Sequence, residues 1–302
     1  MRQKETIATR RKQWYGFIAV MSLPALLIYT VFRFLPSLVG FWFSLFNWRG
    51  TSLKMTFIGL DNYKALIQDD IFWKALGNHL YLFVFNTLFV FVLAIILAAA
   101  LTGKSFKERG IYRVLFFFPT VVPAVIVNVV WMGVFNPNIG LLNGLLQLAG
   151  IQGGNWLGDD TLVKNSILFV MVWISLGFYM VFFMAALLNI PVSLFESARI
   201  DGCGPLRQMI TIVIPLMWEQ IRTALIFFIV TSCGVGFNVV FMMTKGGPHR
   251  SSEILTTYMY QQSFGGQSKF GYASALAVVI LLVTTVLALL ILRLTKRETV
   301  EM

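Results

Sequence analysis

Six stretches of this chain are each apolar for long enough to cross the ~30 Å hydrocarbon layer of a membrane as helix, which takes roughly 20 residues. They run from Trp14 to Phe32, Leu80 to Leu101, Val114 to Phe135, Ser166 to Leu188, Thr223 to Met243, and Gly271 to Leu292. In lipid every backbone amide and carbonyl must find its partner inside the protein, and a helix achieves this segment by segment. The sequence therefore predicts an all-α polytopic membrane protein, with six transmembrane helices in one domain over 14–292 and short flanking segments at 1–13 and 293–302. Composition leads to the same class, because only 12% of the 302 residues are charged, about half of what a water-facing surface carries.

Lys and Arg concentrate in alternate connections. Residues 1–13 hold five, 102–113 four, 190–222 three and the end from Arg293 three, whereas 47–79, 136–164 and 244–271, longer taken together, hold four, one and three. Basic residues stay on the cytoplasmic side, so both termini are expected there. This bias accounts for the formal net charge of +11 without any nucleic-acid partner. The basic start "MRQKETIATRRKQW" resembles a signal-peptide head, but the apolar run behind it is long and lacks a small-x-small cleavage site, which predicts an uncleaved first span. Arg33 is expected at the outer end of that span, with its head snorkelling to the headgroups. Cys203 and Cys233 are too few for a disulfide framework and lack metal-ligand spacing, so both are taken as inert.

"AAALTGKS", Ala98 to Ser105, looks like a phosphate-binding loop. A working loop of that kind follows a buried strand and opens a helix whose amides hold the phosphates. Here the stretch closes an apolar helix instead. Gly103 is expected as a left-handed cap and Lys104 as the charge that complements the helix end. The chain itself is therefore expected to bind no nucleotide, no metal and no other cofactor.

The least hydrophobic long stretch on the cytoplasmic face is "IPVSLFESARIDGCGPLRQMITIVIPLM", Ile190 to Met217. Pro191 ends the fourth span, Ser193 and Glu196 have capping-box spacing, and Gly202 and Pro205 are helix-stopping residues. These signals predict a short helix over Leu194 to Asp201, a turn, and a second helix that enters the fifth span past Pro215. Small Ser197 and Ala198 beside acidic Glu196 and Asp201 suit docking into a groove on a cytoplasmic partner.

This loop resembles the E-A-A loop of the membrane subunits of binding-protein-dependent ABC importers. Glu196-Ser197-Ala198, Gly202, Ile212 and Pro215 stand at the motif positions, with Ser197 in place of the first alanine and Ile214 in place of a leucine. "FIGLDNYKAL" (57–66), "FWKALGN" (72–78), "YRVLFFFPTVVP" (112–123), "FNPNIGLLN" (135–143) and "MTKGGPHRSSEILTTYMYQQSF" (243–264) are similar, in order, to landmarks of the MalF-like sugar permeases. The resemblance implies that Glu196, Ser197, Ala198, Asp201, Gly202, Ile212 and Pro215 form a coupling helix and its exit, seated on a separate ATPase subunit that binds ATP and Mg. It further implies two ATPase subunits, a second homologous permease subunit, an extracellular substrate-binding protein and a carbohydrate substrate, in a bacterial or archaeal cell membrane.

The fourth and fifth spans carry Trp173, Ser175, Tyr179, Ser232, Gly234, Gly236 and Asn238. Aromatic faces stack on sugar rings and amides or hydroxyls satisfy their hydroxyl groups, so Trp173, Tyr179, Ser232, Gly236 and Asn238 are candidates for a substrate path. No Asp, Glu, Lys or Arg lies near the middle of spans two to six, which argues against ion coupling and counts mildly against a glycerol phosphate; an oligosaccharide is the expected substrate, with a polyol or glycerol phosphate as the alternative. An intramembrane enzyme would need a nucleophile beside a base, whereas His79 and His249 are expected at the outer ends of loops. Outside, "GLDNYKALIQDDIFWKALGN" reads as an interfacial segment, available to lipid or to the binding protein.

Overall fold

The computed structural model describes residues 7–50, 54–103, 108–266 and 268–296, with side chains from Trp14 on. The described residues are overwhelmingly helical, as the apolar runs predict. Five helices are long and apolar enough to cross a membrane, and a bent pair brings the number to six. The chain divides into two compact units, Met1–Leu66 with Gln262–Val278, and Ile67–Gln261 with Val279–Met302.

In the first unit α1 (Ile7–Tyr29) passes through a π turn, Thr30–Phe34, into α2 (Leu35–Phe43). The span therefore extends beyond Phe32, and Arg33 lies inside the helical run rather than at its end. Pro36 supplies the reason for the π turn: it brings no N–H and its ring crowds the carbonyl four residues back, so the preceding turn widens. No residue from Trp14 to Phe43 is buried. Beyond α2, the two-residue strands β1 (Phe46–Asn47) and β2 (Thr56–Phe57) pair antiparallel, a small exception to the all-α expectation. The short helix α3 (Asp61–Ile67) comes next. Buried Asn62 pins this segment by donating to the carbonyls of Ser44 at 2.7 Å and Phe46 at 3.0 Å.

The second unit opens on α4 (Asp70–Thr102), capped by Asp69, whose carboxylate accepts from the Ile71 amide. "FWKALGN" and His79 thus belong to the first turns of the second span, not to a loop. Apolar periodicity missed these turns because Asp70, Lys74 and Asn78 interrupt it, while the Asp69 cap nucleates the helix regardless. At the other end Gly103 takes an extended conformation, φ −61°, instead of the left-handed cap expected of it; Lys104 and Ser105 lie outside the described residues.

The third span is not one helix. α5 (Arg109–Val121) and α6 (Ala124–Val134) meet at an angle of 104°. Pro119 and Pro123 flank the break, and Pro123 removes the amide that would continue the ladder. A short helix, α7 (Leu141–Leu148), leads to α8 (Val163–Leu188). The connection around α7 closes on Asn143, whose Nδ2 donates to the carbonyls of Pro137 and Gly154 while Oδ1 accepts from the Gly154 amide and from Trp156 Nε1 at 2.7 Å. Asn143→Ala is expected to strand these groups, at about 1–3 kcal/mol of local stability. Faster amide exchange across 137–156 with unchanged exchange in α8 would report it; unchanged exchange in the loop would refute it.

After α8 come α9 (Val192–Ile200), α10 (Pro205–Gln208), a π turn at Met209–Val213 and α11 (Ile214–Leu216). This second π turn again lies just ahead of a proline, Pro215. The long helix α12 (Trp218–Met243), then α13 (Leu255–Phe264) and α14 (Phe270–Leu294) complete the chain. α4 lies along α8, which also packs on α5 and α12, and α12 packs on α6. Two apolar clusters result: one around Phe91, Phe183 and Phe228 toward the 190–222 end, the other around Val170, Ile167 and Val240 toward the 244–262 end. Between helices in lipid, close packing supplies the attraction that water exclusion supplies elsewhere.

Candidate coupling site and substrate path

α9 starts earlier than the sequence suggests. Pro191, with φ −58° and ψ 130°, takes the cap position, so Ser193 is already inside the first turn and no side-chain cap bond forms there. The expected capping box is therefore not made: proline's fixed φ presets the turn in its place. The other end is built as expected, and more completely. Asp201 is the C-cap, Gly202 stands at φ +74°, its amide donates to the Arg199 carbonyl at 3.1 Å, and the Cys203 amide donates to the Ala198 carbonyl at 2.8 Å. These two bonds make a Schellman motif, which needs a residue at home in the left-handed region. Gln208 Nε2 then donates to the Cys203 carbonyl at 2.8 Å and ties α10 to the turn.

Of the named coupling residues, Ala198 is buried while Glu196, Ser197, Asp201, Gly202 and Pro215 are not. Phe195, Ile212 and Ile214 pack against the cluster around Phe183, which roots the loop in the helical bundle. Ile200 is 87% exposed and Leu206 75%. The short helix is thus rooted on one side and shows acidic and apolar side chains to the other.

The candidate path residues fall into three places. Tyr179 is buried in the aromatic cluster, with its ring 5.2 Å from Phe91 and 5.3 Å from Phe228. Ser232 and Gly236 line a small cavity of about 10 Å³ together with His79, Met171 and Ile254. Trp173 and Asn238 meet α6, where Trp131 stacks edge-on to Trp173 at 5.5 Å and Asn128 Nδ2 donates to the Asn238 carbonyl at 3.2 Å. A cavity of that size holds about one water, far below the several hundred Å³ of a ligand pocket.

Four polar residues here were not among the sequence candidates. Thr120 Oγ1 donates to the Ile174 carbonyl at 3.2 Å, beside the break between α5 and α6. Buried Asn128 keeps its Oδ1 unpaired, Trp131 its Nε1 and Asn86 its whole carboxamide, among the described residues. The two prolines at 119 and 123 were the available signal for a broken helix, and broken helices build the substrate sites of many transporters. His79 is buried on α4, its Nε2 3.7 Å from Cys233 Sγ, which corrects its expected loop position.

A family model described as binding-protein-dependent transport system inner membrane component matches residues 79–300. The diacetylchitobiose uptake system permease protein NgcF of Streptomyces coelicolor is 36% identical over 286 residues, covering 91% of this chain and 80% of that one. The lactose transport system permease protein LacF of Rhizobium radiobacter is 32% identical, covering 88% and 90%. Among solved structures, a chain of a bacterial alginate ABC transporter in complex with alginate pentasaccharide-bound periplasmic protein superposes with a TM-score of 0.83 at 22% identity, covering 98% of this chain and 99% of that one.

Proposed function

Since this chain belongs to the binding-protein-dependent transport system inner membrane components, we propose that it is the permease subunit of an ATP-driven importer for a neutral oligosaccharide. The observation that carries the substrate class is likeness over nearly the whole length to permeases named for diacetylchitobiose and lactose uptake. The site chemistry supports it. Asn86, Asn128 and Trp131 leave polar atoms unpaired at membrane depth, where sugar hydroxyls would satisfy them once the path opens, and Trp131 with Trp173 offers aromatic faces for the ring. The absence of ionisable side chains near the middle of spans two to six sets a phosphate-bearing substrate second.

In this reading both termini and the 190–222 loop face the cytoplasm, and the chain itself hydrolyses nothing. Two partner ATPase subunits bind ATP and Mg, and one of them takes α9 with the exposed Glu196, Ser197, Asp201 and Gly202 in its groove. Closure of the ATPases pushes the rooted loop, and α8 and α12 carry the displacement to the closed path around Ser232 and Asn128. A second, homologous permease subunit completes the pathway. The first span, with none of its residues from Trp14 to Phe43 buried, has a whole surface available to that subunit and to lipid. An extracellular binding protein delivers the sugar to the opposite face.

The test is uptake into proteoliposomes carrying this chain with its partner permease, the ATPase subunits and the binding protein, using labelled diacetylchitobiose, cellobiose, lactose and glycerol 3-phosphate. Accumulation of a neutral oligosaccharide that requires both ATP and the binding protein is expected. Uptake that persists without ATPase subunits, or tracks an imposed proton gradient, would refute the importer reading; uptake of glycerol 3-phosphate alone would refute the substrate class.

A further inference from the structure

One small cavity among the helices is bordered by ligand chemistry that moving a sugar does not call for. His79 on α4 and Met171 on α8 line it, together with Gly236 on α12. Cys233 stands one turn before Gly236, and its Sγ lies 3.7 Å from His79 Nε2. His79 is 7% exposed, and among the described residues this sulfur is the one hydrogen-bonding partner of its ring. Gly236 has no side chain, so the tip of the Met171 thioether comes close to α12 there, its methyl 3.6 Å from where a Cβ would stand. An imidazole, a thiol and a thioether from separate helices thus converge at a space of about 10 Å³, room for one water or one ion.

The first two groups have the spacing of metal ligands. Metal bonds to imidazole nitrogen and thiolate sulfur run at about 2.0 and 2.3 Å, so donors 3.7 Å apart meet at a single ion with an angle of about 115–120°. That is the angle of a planar three-coordinate ion, and neither side chain has to move to reach it. Thiolate and thioether donors select soft ions such as Cu(I) over the hard ions that carboxylates hold. Charge selects in the same direction. His79 and Cys233 both belong to membrane-spanning helices, where an uncompensated charge is costly. A monovalent ion takes the place of the thiol proton, which leaves to the medium, and the ion with its thiolate carries no net charge. A divalent ion would leave one positive charge over. Among the described residues no three His, Cys, Asp or Glu side chains gather, so no carboxylate is at hand to cancel it. Cys233 is only partly buried, which gives an ion its approach.

We propose that His79, Cys233 and Met171 form a site for a soft, closed-shell monovalent cation, Cu(I) or Ag(I), which ties α4, α8 and α12 together. Spacing along the chain does not show such a site, because each ligand comes from a different helix. The site stands apart from the importer reading, but its consequence rests on that reading. Ser232 and Gly236 border the same cavity, so an ion held there blocks the candidate substrate path and stops uptake.

The test uses the full-length chain and silver(I), which has the same closed shell as copper(I) and no redox chemistry under these conditions. Silver is titrated against a competing chelator, and maleimide labelling of Cys233 and Cys203 is read by mass spectrometry. Cys233 is expected to be protected at silver concentrations at least about tenfold below those that protect Cys203. H79Q and M171L should each weaken that protection by about 10–100-fold or more, since removing a ligand costs at least what removing an outer-shell partner costs. M171L keeps the side-chain volume and so covers the case in which H79Q assembles poorly. X-ray absorption of the copper(I)-loaded chain should show sulfur and nitrogen neighbours together, with sulfur scattering reduced in M171L. Equal protection of both cysteines, protection of Cys233 unmoved in both variants, or zinc(II) bound as tightly as copper(I) would overturn the proposal. In the reconstituted importer, silver that protects Cys233 should stop wild-type uptake and spare M171L relative to its own metal-free rate; uptake unaffected in the wild type would overturn the blocking of the path. Should the metal-free wild type transport nothing, it is the importer reading that fails, and the labelling still decides the site.

Discussion

Replacing Gly202 with valine is expected to cut ATP-driven uptake by more than about tenfold while leaving the chain inserted and folded, since the left-handed conformation costs an L-residue roughly 1–2 kcal/mol and a β-branched one more. Nothing stands within 4 Å of where a Cβ would point at Gly202, so the effect has no steric component from neighbours. It comes from the backbone. At φ +74° the Gly202 and Cys203 amides close the Schellman motif; a valine driven to negative φ breaks both bonds and redirects the chain into α10. The helix that the ATPase subunit would grip then points elsewhere, while the membrane helices keep their packing. Because only φ is at stake, the order of activity should run glycine, asparagine, alanine, valine, as asparagine visits the left-handed region most readily after glycine. Uptake by the reconstituted complex measures it, with expression level and thermal midpoint as the control for folding. A valine variant that transports at the wild-type rate would remove Gly202 from the coupling mechanism.

Gly177 carries the opposite kind of prediction, steric and structural. α8 crosses α5 so closely there that a Cβ would lie 2.7 Å from Phe117 Cα and 2.8 Å from the Phe116 carbonyl carbon. Backbone cannot move aside as a side chain can, so Gly177→Ala is expected to cost about 1–3 kcal/mol, and Gly177→Leu to prevent stable assembly altogether. The midpoint of unfolding in detergent should fall accordingly, and an alanine variant with an unmoved midpoint would refute the contact. The adjacent Thr120 to Ile174 bond sits in the same crossing. A loss of transport in Gly177 variants is therefore expected to track the loss of the α5–α8 contact rather than a lost sugar contact, and the two are separable because Thr120→Val removes the bond without adding bulk.

Which residues could be placed in advance depends on the range of the forces that place them. The four unbroken spans from α4 to α14 begin and end within a few residues of the apolar runs, apart from the extra turns that Asp69 nucleates in α4. Gly202 was legible as the end of the short helix because a glycine closely followed by Pro205 stops one. The same local reasoning failed at Gly103, whose extended cap no neighbouring residue specifies, and at Ser193, where Pro191 two residues earlier took the cap. Pro119 and Pro123 were legible as helix breakers, yet the 104° between α5 and α6 was not, since proline permits a bend and packing of α6 on α12 chooses its angle. Arg33 was misplaced because hydropathy assigns a charge to a span's edge, whereas the helix continues through it to Phe43.

The sequence by itself determined the class of the molecule, the approximate limits of its unbroken apolar helices, the short helix of the 190–222 loop with its sharp turn at Gly202, and the lack of charge in the middle of the apolar runs. All of these come from transfer energies and backbone preferences, which act residue by residue or over one helix. Only the tertiary structure decided that Tyr179 is packed among phenylalanines, that Asn86, Asn128 and Trp131 keep polar atoms unpaired, that Gly177 is an interhelical contact, and that Glu253 is the buried centre of the loop between α12 and α13. Each depends on which side chains from distant parts of the chain meet in space. That is set by the joint packing of several helices, and the pattern along any single one of them does not contain it.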